Sequence, residues 1–198
     1  MKKIKILTAV GTRPEIIRLS RIIDFLNKNT NHKLIHTGQN YDDELNKIFF
    51  KDLGLRSPDF KLNIKGKSLM ESISKILSEV DKILEKEKPD AFLILGDTNS
   101  CLAAYCAKRR KIPIFHIEAG NRCYDQRVPE EINRKIIDHI SDINITYSDI
   151  AKDNLLRENI SPDKIFKIGS PLYEVFDFYK NKILKSKILN KYKLKKNN

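Results

Sequence analysis

The chain has 198 residues, 40% hydrophobic and 32% charged, a balance that supports one sizeable core and excludes a wholly disordered chain. Its formal charge of +12 is uneven: eight lysines and no acid lie between 180 and 198, leaving +4 for the first 179 residues. That mildly basic body has no zinc-finger spacing, no basic-aromatic RNA motif and no run of about 18 apolar residues, so it reads neither as a nucleic-acid binder nor as a membrane span.

The first segment, Lys3 to Val10, is an apolar strand ending at Gly11. Lys5 interrupts it, and Gly11, Arg13 and Glu15 follow at once, which is too short an apolar region for a signal peptide. Glu15 to Lys28 carries Ile16, Leu19, Ile22, Ile23 and Leu26 at a helical period, with Pro14 just ahead, where a first-turn proline is tolerated. Lys33 to Thr37 is a second strand. Asp43 to Leu53 and Leu69 to Lys86 are helical, the latter with Ile73, Ile76, Leu77, Val80 and Leu84 on one face. Ala91 to Leu95 (AFLIL) is continuously apolar, as expected of a strand covered on both sides. Then follow a helix from Asn99 to Arg110, a strand from Ile112 to Ile117, a helix from Glu130 to Ile140, a strand from Asp142 to Thr146, a helix from Ser148 to Glu158 and a strand from Lys164 to Ile168. Pro171 to Tyr179 starts a last helix.

This alternation predicts an α/β fold, a Rossmann-like parallel sheet with helices on both faces. Such sheets bind ligands at the carboxyl ends of their strands. The polar, glycine-containing loops fall there: Gly11 to Glu15, Gly38 to Asp42, Gly96 to Asn99 and Glu118 to Arg122. From Asn181 onward lysines alternate with Ile183, Leu184, Ile188, Leu189 and Leu194, the pattern of an amphipathic crossover helix or a frayed end. Cys101, Cys106 and Cys123 cannot all pair within the chain and lack metal spacing, which fits a reduced, cytoplasmic setting with Cys101 and Cys106 as helix packing.

Each candidate for chemistry has two readings. Arg13 is either a forked ligand for phosphate or carboxylate, or a surface arginine on a loop. Asp97 either transfers protons at a strand end or caps the following helix, a role for which Thr98 competes; taken alone, the cap is favoured. His116 and Glu118, two apart on a strand, share a face, and form either an acid/base pair or a pair that orders the loop. Glu130 and Glu131 open a helix, where carboxylates favour the dipole, yet the same position brings one of them to the ligand edge. His36 ends a strand and faces the site, His139 is structural, and His32 reads as solvent-exposed. Neither GxGxxG nor GxxxxGK[ST] occurs, so no dinucleotide cofactor or P-loop is indicated, and no metal motif is present. Three carboxylates and an arginine around one cleft suit metal-free acid/base chemistry on an anionic substrate.

The ordered motifs GTRPE, GDT after AFLIL, HIEAG and PEEINR, over Met1 to about Tyr179, resemble those of the non-hydrolysing UDP-N-acetylglucosamine 2-epimerases. That family has two Rossmann-like domains in the GT-B arrangement. The resemblance implies that residues 1–179 are the N-terminal, catalytic-side domain, that 180–198 is a tail or crossover helix, and that a C-terminal UDP-binding domain is absent. It implies Arg13, Asp97, Glu118 and Glu130 as the catalytic set, with Glu131 the alternative to Glu130, and Thr12, Gln39, Thr98, His116, Arg122 and Arg134 as substrate contacts. No cofactor is implied. The partners implied are a UDP-sugar and either a second copy of the chain or a separate C-terminal domain. The chain alone is expected to have little epimerase activity. HIEAGNRCYDQRVPEEINR and GQNYD are similar to the branch that makes UDP-N-acetyl-L-fucosamine from the 2,6-dideoxy-L-talose precursor. The commoner branch instead carries a Gln-His-Arg motif tied to activator binding. The competing readings are a non-catalytic binding domain and half of a GT-B glycosyltransferase.

Overall fold

The computed structural model describes residues 3–38 and 43–192, and for 43–47 the backbone only. In chain order the elements are β1 (Lys5–Val10), α1 (Arg13–Asn29), β2 (Asn31–His36), α2 (Asp43–Asp52), β3 (Phe60–Lys61), α3 (Leu69–Glu87), β4 (Ala91–Leu95), a 3-10 turn (Asn99–Ala103), α4 (Ala104–Arg109), β5 (Ile114–Ile117), α5 (Pro129–Ile140), β6 (Ile143–Thr146), α6 (Asp149–Arg157), β7 (Ile165–Lys167), α7 (Leu172–Leu184) and α8 (Ile188–Lys191). The strands form one parallel sheet in the order β3-β2-β1-β4-β5-β6-β7. The chain builds outward from β1 to β3, then returns to β4 on the other side of β1. The crevice between the ends of β1 and β4 is therefore the switch point, where the connecting loops part.

The period-2 pattern of the strands divides the core. Phe92 and Ile94 of β4 join Leu7, Ile76, Val80, Leu84 and Ile137 on the face covered by α3, α4 and α5. Leu93 and Leu95 join Val10, Ile16, Leu19, Ile23 and Ile117 on the face covered by α1. Each such side chain, once buried, contributes roughly 1.5–3 kcal/mol, so both faces are needed to hold the sheet. Helix starts are set by local chemistry. The Ser68 hydroxyl accepts from Glu71 N at 3.1 Å to begin α3, and that helix ends where Lys88 turns left-handed, φ 46°.

The expected alternation is present; the helix expected from Asn99 to Arg110 opens as a 3-10 turn over Asn99–Ala103, and three further differences follow. The two-residue edge strand β3 carries no periodic signal, because Phe60 and Lys61 are defined only by pairing with Ile35 and His36. The helix expected to start near Pro171 runs unbroken to Leu184, so residue 179/180 lies inside α7. Tyr179 Oη donates to Leu53 O at 2.6 Å and Lys182 Nζ to Asp52 O at 2.9 Å, which pins this stretch against the end of α2.

The third difference is His32, expected in solvent but 6% exposed. It shares a face of β2 with Leu34 and His36, and a strand with both faces covered has no solvent side. Its ring nitrogens lie 2.8 Å from Thr8 Oγ1 and 2.7 Å from Asn27 Oδ1. Burial, with the Arg56 guanidinium nearby, lowers its pKa from 6.5 to about 4. The folded state thus disfavours the proton, so the stability this group contributes is complete above pH 6.5 and is lost as pH falls toward 4. At about 1.4 kcal/mol per unit, the loss is on the order of 3 kcal/mol. Urea midpoints measured across that window should fall with acid in the parent and fall less steeply in His32→Gln; parallel slopes would refute the assignment.

Among the described residues no helix is long and apolar enough to cross a membrane, and no cluster of three or more His, Cys, Asp or Glu is suited to a metal.

Candidate functional site

The loops after β1 and β4 and the start of α5 meet at the carboxyl edge, around an open cleft of about 720 Å³. Thr12, Arg13, Thr98, Asn99 and Glu130 give its polar wall, and Ile17, Phe49 and Leu69 its apolar one. Arg13 sits in the first turn of α1, held there by its neighbour. Glu15 is 2% exposed, and its Oε2 accepts from Gly11 N at 2.7 Å and Thr12 N at 2.6 Å, while Oε1 accepts from Thr98 Oγ1 at 2.7 Å. One buried carboxylate thus joins the loop after β1 to the loop after β4. Burial pushes the Glu15 carboxyl up against the pull of these hydrogen bonds. Gly11 itself is required: a Cβ there would lie 1.9 Å from Ser100 Oγ.

Asp97 is not the helix cap. Thr98 precedes the 3-10 turn, and Asp97 Oδ2 instead receives Nε and Nη2 of Arg134 at 2.7 and 2.6 Å. Glu118 follows β5 with φ +71°, a conformation that costs a non-glycine residue about 1–3 kcal/mol and recurs at functional sites. That turn aims its carboxylate back across the edge, where Arg18 of α1 pairs with it and a Cβ on Gly96 would lie 4.0 Å from Oε2. Glu118 therefore stands beside the Gly96–Asp97 turn.

The adjacent glutamates of PEEINR separate cleanly. Glu130 is exposed and lines the cleft. Glu131 is fully buried and accepts from Cys123 N, Tyr124 N and Arg134 Nη1 at 3.1, 3.2 and 3.0 Å. Burial disfavours its charge, yet those donors outweigh burial and hold the carboxyl below its ordinary range.

Three residues expected to touch substrate also make bonds within the protein. His116 is 0% exposed. Its Nε2 donates to Gly96 O at 2.9 Å, and Nδ1 lies 2.8 Å from Asp138 Oδ1 without a straight hydrogen bond. The Arg122 side chain is also 0% exposed, forked onto Glu158 at 2.7 and 2.6 Å and bound to Asp138 at 2.8 Å. Arg134 is spent on Asp97 and Glu131. All three were placed by their loop motif, and a motif gives a residue's position along the chain but not the direction of its side chain. The expectation for Gln39 falls outside the described residues. Sequence reasoning missed Arg18 and Glu15; the spacing i, i+5 from Arg13 gave no motif for Arg18, whereas Glu15 was visible as the acid three residues after Thr12 at a helix start. Burial raises the thiol pKa of Cys106 to about 11 and that of Cys101 well upward, as for packing residues.

A family model described as UDP-N-acetylglucosamine 2-epimerase matches residues 25–198. The curated UDP-N-acetylglucosamine 2-epimerase of Methanocaldococcus jannaschii is 46% identical over 172 residues, covering 86% of this chain and 47% of that protein. A solved structure of UDP-N-acetylglucosamine 2-epimerase from Rickettsia bellii superposes with TM-score 0.92 at 56% identity, over 98% of this chain and 52% of the other. The M. jannaschii UDP-GlcNAc 2-epimerase in complex with UDP-GlcNAc and UDP superposes with TM-score 0.90 at 41% identity, over 96% and 53%. The chain spans about half the length of the curated relatives it matches.

Proposed function

This chain belongs to the UDP-N-acetylglucosamine 2-epimerase family, and from that premise we propose that it forms the catalytic-side half of a nucleotide-sugar 2-epimerase. The observation that carries the proposal is that Arg13 and Glu130 line an open cleft at the sheet edge, next to Asp97, which follows β4, and Glu118, which follows β5 and pairs with Arg18.

The chemistry follows from the substrate. The C2 hydrogen of a 2-acetamido sugar is not acidic in the ground state. As the C1–O bond to UDP breaks, positive character at C1 acidifies that hydrogen, and a carboxylate removes it to leave a glycal with a C1–C2 double bond. Return of a proton to C2 from the opposite face, and of the UDP oxygen to C1, inverts C2 and restores both bonds. Acid/base groups are needed on both faces, which is the use for several carboxylates in one cleft. In our reading Asp97, Glu118 and Glu130 divide the proton transfers, and Arg13, joined by Arg18, stabilises the departing diphosphate. Thr12 and Thr98 line the same wall as substrate contacts.

Because the chain covers about half of its relatives, the isolated chain is expected to turn over little substrate, and completion by a second domain to restore it. The narrower reading of the substrate is the UDP-N-acetyl-L-fucosamine precursor, supported by the NRCYDQRV segment before PEEINR. The test joins this chain to the matching C-terminal half of the M. jannaschii relative and follows UDP-GlcNAc and the UDP-2-acetamido-2,6-dideoxy-L-talose substrate by proton NMR in D2O. Deuterium entering C2 of either sugar, with appearance of its C2 epimer, is the expected result. A folded joined protein that exchanges neither C2 hydrogen would end this reading.

A further inference from the structure

We propose that Arg134 is a positioning residue that holds the Asp97 carboxylate for proton transfer, itself fixed by buried Glu131; this rests on the reading of the cleft as an epimerase site. All three nitrogens of the Arg134 guanidinium are engaged within the protein. Nε and Nη2 converge on one Asp97 oxygen, Oδ2, while Nη1 donates to Glu131 Oε2 at 3.0 Å. Asp97 Oδ1 takes no bond among the described residues, so the grip fixes the carboxylate's rotation and leaves one oxygen for chemistry. The main chain is held from the same helix: Asn133 Nδ2 donates to Asp97 O at 2.8 Å and lies 3.3 Å from Asn99 Oδ1. Glu131 has no exposure and no freedom to turn, since the amides of Cys123 and Tyr124 bind it from the loop that precedes α5.

One turn of α5 therefore does two separate things. Glu130 lines the cleft, while Asn133 and Arg134 reach sideways to Asp97 just past β4 and Glu131 ties Arg134 to the loop before α5. The chain of contacts also links the NRCYDQRV segment to Asp97 through the Cys123 and Tyr124 amides. A guanidinium that spends its fork on a carboxylate acts by orientation, where misplacement by about 1 Å costs on the order of 10²-fold in rate. A guanidinium that held the substrate would act on binding instead.

The test has two arms. In the 198-residue chain, Arg134→Gln should speed backbone hydrogen exchange at residues 96–99 by about tenfold and leave α1 and α3 unchanged; unchanged exchange at 96–99 overturns the proposal. In the joined protein described above, Arg134→Gln should lower kcat by about 10²-fold with KM moved less than about threefold, and Arg134→Lys, which keeps the charge but offers a single contact to Oδ2, should recover part of the loss. A rise in KM at constant kcat overturns positioning in favour of substrate contact. Should Arg134→Gln fail to fold, the same split is read from Arg134→Lys. If the unsubstituted joined protein itself has no turnover, the epimerase reading fails, and the exchange arm still decides whether Arg134 orders the Asp97 turn.

Discussion

Asp138→Ala is expected to remove about 3–5 kcal/mol of folding stability, the range seen when one partner of a buried ion pair is deleted. Asp138 is 1% exposed and accepts from Arg122 Nη1 at 2.8 Å and Gly120 N at 3.1 Å, with the His116 ring 2.8 Å from its other oxygen. Alanine would leave the Gly120 amide without its acceptor and the buried Arg122 with Glu158 as its one remaining carboxylate partner, beside the Asn121 carbonyl. Gly120 cannot move to compensate, because its φ is +80° and even a Cβ at that site would lie 2.2 Å from Ala151 O. Against a typical total of about 5–15 kcal/mol the loss is large. Burial opposes charge on Asp138, yet the His116 ring and the Arg122 guanidinium outweigh it and hold the carboxyl below its ordinary range. Its contribution is therefore complete above the ordinary carboxyl range and fades only as pH falls through the lowered value. Glu158→Ala should cost less, since that carboxylate is 27% exposed and water replaces it. Urea denaturation at neutral pH measures all three proteins, and an Asp138→Ala midpoint equal to the parent's would show the network to be dispensable.

Asp97→Asn, Glu118→Gln and Glu130→Gln are each expected to lower kcat of the joined protein by about 10²–10⁴-fold, the range for losing a general acid or base. The amides keep size but lose the ion pairs of Asp97 with Arg134 and Glu118 with Arg18, so melting curves are read beside kcat. Glu130 is exposed and binds nothing else among the described residues, so Glu130→Gln should melt with the parent, within about 0.5 kcal/mol. Glu131→Gln should melt earlier, because its carboxylate is fully buried beneath three backbone and guanidinium donors. The pair separates chemistry from architecture in two adjacent residues. Full turnover in any of the three amide variants would remove that residue from the set.

The strands and long helices were legible because their signals are local. AFLIL reads as a two-sided strand from five letters, and the α3 stripe of Ile76, Val80 and Leu84 repeats at the helical period. β3 and the full length of α7 were not legible: two residues carry no period, and a helix end inside a lysine-rich stretch is fixed by Tyr179 and Lys182 reaching the end of α2. His32 failed for a related reason, since exposure depends on what covers a strand.

By itself the sequence determined the alternating α/β order, the parallel sheet it requires, and the loops that carry Arg13, Asp97, Glu118 and Glu130, because periodicity and chain order are properties of neighbouring residues. Only the tertiary structure exposed Glu130 and buried Glu131, buried His116 and the Arg122 side chain, bound Arg134 to Asp97, and brought Arg18 onto Glu118, a residue 100 positions away. Those outcomes depend on side-chain direction and on partners from distant segments, and a linear motif encodes neither.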